Sequence, residues 1–320
     1  MTDRYARQSI LAEVGAAGQA RLAAASVLVV GAGGLGCPVL QYLAGAGVGR
    51  LTVVDHDTVE ETNLHRQPLY AMADLGKPKA EAARARLLHF NPGIAVDTVA
   101  ERLTPQNAAP LVARADVIVD AADSFAVTYI LSDVCHPAAK PLVSASVIGL
   151  TGYAGAFCGG GPSYRAVFPE VSIDGATCAT VGVLGTAVAV LGGLQAHLVL
   201  HLLLGLEPTV LGHVVTFDAR RLAFGGFGFA GSPEPEAATP FIAPSDVGPA
   251  DLVIDLRGAD EAAETFAGGR RVPVGGIDDV AAQLPPTRRI ILCCRSGQRA
   301  LMAAERLRGR GLDLALVALG

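Results

Sequence analysis

The stretch from Val27 to Asp57, VLVVGAGGLGCPVLQYLAGAGVGRLTVVDHD, constrains the chain more than any other. Val27-Leu28-Val29-Val30 is a short, wholly apolar run rich in β-branched residues, the pattern of a strand covered on both faces of a parallel sheet. Gly31-Ala32-Gly33-Gly34-Leu35-Gly36 follows directly and opens a helical pattern that runs to about Ala46 and is closed by Gly47. Glycines there let the backbone turn tightly and approach a ligand with no Cβ in the way. The helix behind them aims free N–H groups and the positive end of its dipole at whatever the loop holds. A second buried strand, Leu51 to Val54, ends in Asp55, at the place where a carboxylate typically accepts from a ribose hydroxyl. Gly31, Gly33, Gly34, Gly36 and Asp55 are therefore candidate nucleotide-binding residues. The commonest owner of such a loop is a dinucleotide-dependent dehydrogenase, so an NAD-dependent oxidoreductase stays open at this point.

With 320 residues the chain is long enough for one large and one small domain, and 51% hydrophobic residues suit a packed α/β core. A net charge of −5 with no Lys/Arg cluster argues against a nucleic-acid partner. No basic region precedes an apolar signal core, so a cytoplasmic protein is expected. Residues Val181 to Leu206 are apolar enough for a membrane scan, but Gln195, His197 and His201 interrupt them, and a buried core helix is expected instead of a membrane span. The six cysteines show neither C-x-x-C spacing nor a disulfide rhythm, and most are expected to be small buried side chains.

Beyond Asp55, the residues Asn63, Arg66, Gln67, Lys77 and Lys79 put several donors near a loop suited to phosphates. A strand is expected near 94–99, a helix near 105–114, and a buried strand at 117–119 that ends in Asp120-Ala121-Ala122-Asp123. Ligands of open α/β sheets lie at the carboxyl ends of strands, which places Asp123 on the rim shared with Gly31 and Asp55. A helix follows over about 125–136, the sheet resumes at 142–144, and YAGAFCGGGPSYRAVF reads as antiparallel strands around a glycine turn. The aperiodic, Pro-rich segment 231–250 reads as an extended linker. It leads to a second α/β unit with strands at 252–255 and 289–293 and a helix over 298–308.

Taken in order, G-A-G-G-L-G, D-x-D-x-V, N-L-x-R-Q, G-K-P-K and D-x-x-D resemble the ThiF/MoeB/HesA family of ubiquitin-activating-type adenylyltransferases over roughly residues 1–230. The resemblance implies that ATP and Mg²⁺ bind at the glycine loop. The C-terminal glycine carboxylate of a ubiquitin-like sulfur-carrier protein then attacks the α-phosphate to give an acyl-adenylate and pyrophosphate. By position, Asp55 would hold the ribose, Asn63, Arg66 and Lys79 the triphosphate, and Asp123 the magnesium, with Gln67 and Ser124 beside them. Arg7, in Y-A-R-Q, matches an arginine that reaches into the partner subunit's site, which implies a homodimer. Cys178 matches a cysteine that thiamine-branch relatives link covalently to the carrier, with a small buried residue as the alternative. The family's zinc cysteines are replaced, by Ser163 and Ala166 in the first pair, so no structural zinc is expected. The family's D-N is Asp123-Ser124, and Thr128 stands where it has an arginine.

Residues 251–320 resemble a shortened rhodanese domain, with C-R-S-G-Q-R, Cys294 to Arg299, as its active loop. That resemblance implies a persulfide on Cys294, loaded by a sulfur donor such as a cysteine desulfurase, with Arg299 and the loop N–H groups favouring an anionic sulfur. Cys294 is accordingly expected to titrate below a free thiol, and Cys293 to stay neutral. The expected fold is α/β: a Rossmann-like, mostly parallel sheet with helices on both faces, residues 1–230, then a linker, 231–250, and a small rhodanese-like domain, 251–320. The expected activity is carrier adenylation coupled to sulfur transfer. A non-catalytic carrier-binding scaffold is the alternative that Ser124 and Thr128 leave open.

Overall fold

A computed structural model describes residues 4–169 and 181–320. Its larger sheet has eight strands in the order β3-β2-β1-β4-β5-β6-β7-β8. These are β1 Ser26–Val30, β2 Arg50–Val54, β3 Ala95–Val99, β4 Val117–Asp120, β5 Pro141–Ile148, β6 Thr151–Cys158, β7 His213–Asp218 and β8 Ala223–Gly228. The strands β3 to β5 pair in parallel, and β6, β7 and β8 add on antiparallel. The expected Rossmann-like sheet is therefore present. Its strand order reverses between β1 and β4, the place where such sheets open a crevice for ligands.

Alternation along β1 builds two cores. Val27 and Val29 face one apolar layer, together with Leu51, Val53, Val117 and Val119. On that side lie α2 (Gly15–Ala24), α3 (Gly36–Ala46), α4 (Lys79–Phe90) and α8 (Gly185–Leu204), while the short α1 (Ala6–Ser9) packs on α2. Leu28 and Val30 face the other layer, with Leu142 and the helices α5 (Pro105–Ala113) and α6 (Phe125–Cys135).

The helix α8 is long and apolar enough to span a membrane by composition, yet it packs on α3, β4, β5 and β6 as a core helix. Its one fully buried polar side chain, Gln195, donates from Nε2 to the carbonyls of Asp120 (2.6 Å) and Val143 (3.1 Å). That ties the helix to two adjacent strands, β4 and β5. The expected pair of strands in 153–168 is only half present. After β6 the chain turns at Gly159-Gly160 and forms a helical turn, α7 (Tyr164–Val167), because the Ser163 hydroxyl accepts from the Ala166 N–H.

The second sheet has the order β10-β9-β11-β12, all parallel, from β9 Leu252–Asp255, β10 Arg270–Arg271, β11 Ile290–Cys294 and β12 Leu314–Ala318. The short α9 (Ile277–Ala281) and the longer α10 (Gln298–Leu307) cover it. Residues 231–250 are irregular apart from a 3-10 turn at Pro244–Asp246, and they are not a loose tether. Glu234 accepts from Ser163, at 2.7 Å from its N–H and 2.6 Å from its hydroxyl. The Pro240 carbonyl and Ile242 N–H pair with Leu316 of β12, and Phe241 and Ala243 are buried. One apolar cluster runs without a break from Leu28 and Ala126 through Phe241 to Ile254, Leu292 and Ala300, so the two sheets share packing.

Candidate active site

A cavity of about 630 Å³ opens where the strand order reverses. Its wall carries Gly31, Gly33, Gly34, Asp55, Asn63, Arg66, Gln67, Lys79, Asp123 and Ser124, residues that the sequence spreads over ninety positions. The glycine loop is built as its residues require. Gly31 has φ +96°, and a Cβ there would lie 2.6 Å from the Ala121 carbonyl oxygen. Gly36 does not line the cavity but lets α3 start: its Cβ would lie 2.0 Å from the Gly31 carbonyl oxygen.

Asp55 sits on the wall with both carboxylate oxygens engaged by backbone. Oδ2 accepts from the Ala32 N–H (2.7 Å) and Oδ1 from the Asp57 N–H (2.8 Å). Burial raises its pKa against these N–H groups and the Lys79 charge. The carboxylate thus clamps the glycine loop to the end of β2. The Lys79 ammonium, 6% exposed, pairs with Asp57 at 2.9 Å, which lowers the Asp57 pKa. Sequence reasoning passed over Asp57 although it is the second acid of D-x-D. Asn63 accepts from the Gln67 amide (3.0 Å), and the Gln67 Oε1 is buried without a partner among the described residues. Among the described residues Arg66 hydrogen-bonds to the Thr62 carbonyl and lies 2.8 Å from His65 Nε2, and it lines the cavity.

Asp123 is exposed on the rim, with no hydrogen bond or ion pair among the described residues. Beneath it lies a network that the sequence did not reveal. Asp120, fully buried at the end of β4, accepts from the Ala122 N–H (3.2 Å), the Thr128 hydroxyl (2.7 Å) and the Ser144 hydroxyl (2.8 Å). Burial pushes its carboxyl up to about 6. Thr128, noted as a departure from the family pattern, is therefore an anchor for the turn that presents Asp123.

Arg7 does not join this cavity. It is exposed on α1, which follows Tyr5; Tyr5 packs on Gly47 at the far end of α3 and accepts from Asn91 just past α4. Both helices start at the cavity, so Arg7 lies at their opposite end, away from its own chain's site. Cys178 falls outside the described residues.

Cys293 and Cys294 face opposite sides of β11, as strand geometry requires. Cys293 packs with Val253, Ile291 and Val317, while Cys294 packs on the side of Leu292 and Ala300. The Cys294 sulfur meets the N–H groups of Gly297, Arg299 and Ala300 and the Arg299 guanidinium, itself held by both oxygens of Glu261 (2.6 and 2.7 Å). The expected cradle is there, but the expected titration is not. Cys294 has 0% exposure, and desolvation raises its pKa in spite of the N–H groups and Arg299. Cys293 is pushed up to about 12 by burial and by Asp255. The other described cysteines, Cys37, Cys135 and Cys158, are buried free thiols.

The ThiF family profile matches residues 5–235. A sulfur carrier protein adenylyltransferase of Thermus thermophilus is 45% identical over 230 residues, covering 69% of this chain and 85% of that protein. The SAMP-activating enzyme E1 of Haloferax volcanii is 44% identical over 224 residues, 69% of this chain and 83% of that one. The bovine adenylyltransferase and sulfurtransferase MOCS3 is 48% identical over 221 residues, but the match covers 68% of this chain and only 49% of MOCS3. Among solved structures, Escherichia coli MccB with ATP superposes with a TM-score of 0.63 at 25% identity, over 72% of this chain and 73% of that one. Over residues 5–235 the chain belongs to the ThiF family.

Proposed function

We propose that this chain uses ATP to adenylate the C-terminal glycine of a ubiquitin-like sulfur-carrier protein. The observation that carries the reading is the single cavity in which the glycine loop, Asn63, Arg66, Gln67, Lys79 and Asp123 converge. Attack by a carboxylate on a phosphate brings two anions together, so the site must supply fixed positive charge and N–H donors where charge builds up. The glycine loop at the start of α3, Arg66 and Lys79 do this, while Asp55 holds the loop rigid. Asp123 suits a magnesium ion travelling with ATP, since its carboxylate is exposed on the rim and unengaged among the described residues; such an ion would screen the phosphate oxygens. The same cationic lining, together with family membership, supports a triphosphate over a nicotinamide dinucleotide. The intact Asp120–Thr128–Ser144 network supports a working enzyme over a scaffold.

The second sheet supplies the other half of the reading, a rhodanese-like unit with Cys294 as persulfide carrier, loaded by a sulfur donor. The cradle around its sulfur supports this assignment. Arg7, remote from its own cavity, serves the site of a second copy in a homodimer. Pyrophosphate exchange into ATP, with candidate carrier proteins present, tests the adenylation reading. Asp123→Ala should lower the exchange rate by roughly a hundredfold or more, as expected for losing a carboxylate that would hold the metal. Exchange by the variant as fast as by the parent chain would remove Asp123 from the mechanism.

A further inference from the structure

The nucleotide cavity is not made by the ThiF-family part of the chain alone. Gln298, the first residue of α10 and part of the second sheet's unit, lines it beside Asp123, Ser124 and Phe125. Resting on the adenylation reading above, we propose that Gln298 is a nucleotide-binding residue, so that the ATP site is complete only when the C-terminal unit is docked.

The position of Gln298 is fixed from several sides. The Ser296 carbonyl accepts from the Ala126 N–H (3.2 Å), one of the free donors at the start of α6, directly behind the Asp123–Ser124 turn. Gly297 adopts φ +87°, and a Cβ there would lie 2.8 Å from the Phe241 ring and 2.9 Å from the Ala126 Cβ. The Gln106 amide donates to Ser245 (2.8 Å) and Asp246 (2.7 Å), and Arg102, on the same cavity wall, has its guanidinium against Gly320. A primary amide offers donors and an acceptor together, which suits the hydroxyls, ring edges and phosphate oxygens of an adenosine nucleotide. Among these contacts Gln298, half-buried, keeps its place on the cavity wall.

Docking has a second result. Gly297, which rests against Phe241 and Ala126 in the docked unit, also gives its N–H to the Cys294 sulfur, so docking and the sulfur's surroundings share one loop. A nucleotide that touches Gln298 stabilises the docked state, and by linkage it should slow any reaction of Cys294 that needs this loop to open.

The test uses the full chain, Mg²⁺ and α,β-methylene ATP, which binds without turnover. Two quantities are read: the Kd of the analogue, and the rate of iodoacetamide alkylation of Cys294, followed on its own peptide by mass spectrometry. For the parent chain, saturating analogue should slow Cys294 alkylation at least fivefold. Gln298→Ala should raise Kd roughly three- to tenfold, the loss of a hydrogen bond, and lose most of the protection. Gln298→Glu, equal in size but anionic, should weaken binding further while circular dichroism shows an unchanged fold. If the parent binds the analogue and Gln298→Ala binds it equally well, the inference is wrong and the adenylation reading stands. Alkylation of the parent at the same rate with and without bound analogue also overturns the inference. A parent chain that binds no analogue overturns both.

Discussion

The loops Gly31–Gly36 and Arg295–Gln298 are the same device used twice. Each leaves a buried parallel strand, β1 or β11, turns at a glycine with positive φ (+96° at Gly31, +87° at Gly297), and enters the N-terminus of a helix. Each can offer backbone N–H groups at the helix start to an anion. One faces a cavity of about 630 Å³, and the other closes on a sulfur with 0% exposure. In the sealed loop desolvation outweighs the N–H groups and the nearby guanidinium, so the thiol is raised. A cradle of N–H groups therefore does not create an anion by itself. Access to water, or to a counter-charge brought by a ligand, decides.

The largest break in this comparison should come from Gly36→Ala. A Cβ 2.0 Å from a backbone oxygen cannot be absorbed by side-chain movement, and about 3 kcal/mol or more of stability should go, together with nucleotide binding. Gly33→Ala is the stability control, because among the described residues its Cβ would meet only the Gln67 amide, at 3.5 Å. Denaturant melts on both variants check the contrast, with analogue binding read on Gly36→Ala, and an equal loss of stability in both would mean that the close approach at Gly36 is unimportant.

Next in size, Phe241→Ala should open the second loop. Removing this buried ring should cost about 3 kcal/mol. It should also speed alkylation of Cys294, by relieving the desolvation that raises the thiol, and leave Cys293 slow. Peptide-resolved alkylation rates decide, and a Cys294 as slow as in the parent chain would assign its burial to something other than the Phe241 cap.

The smallest effect concerns Asp120, whose folded-state carboxyl, at about 6, lies above the ordinary value near 4. A raised acid favours the native state while protonated, so its contribution is present below about pH 4 and is lost as pH rises through 6. The shift corresponds to about 2–3 kcal/mol. Relative to Asp120→Asn, the parent chain should lose up to that amount between pH 4 and pH 6.5 in urea titrations. Parallel stability curves for the two proteins would deny the shift.

The sequence exposes the first loop because everything that specifies it lies between Val27 and Asp57: apolar strand, glycines, helix and acid. The same holds for the placement of Cys293 and Cys294 on opposite faces, which needs only the two-residue period of a strand. What stayed hidden depends on distant partners. Ser163 reads as a lost cysteine until Glu234, seventy-one positions on, is seen to accept from it. Thr128 reads as a lost arginine until Asp120 and Ser144 close the network around it. The placing of Gln298 on the same cavity wall as Asp123 follows from no local pattern, because packing between the two sheets produces it.

The path of residues 240–242 along β12 has a consequence for dissecting the protein. Those residues complete the hydrogen bonding of Leu316 and fill an apolar hollow with Phe241. A fragment starting at residue 251 would present a bare strand edge beside a greasy pit, the combination that recruits another copy's edge into a growing ribbon. The boundary that composition suggests would thus yield an aggregating fragment, whereas a cut before Glu234 would carry its own edge guard with it.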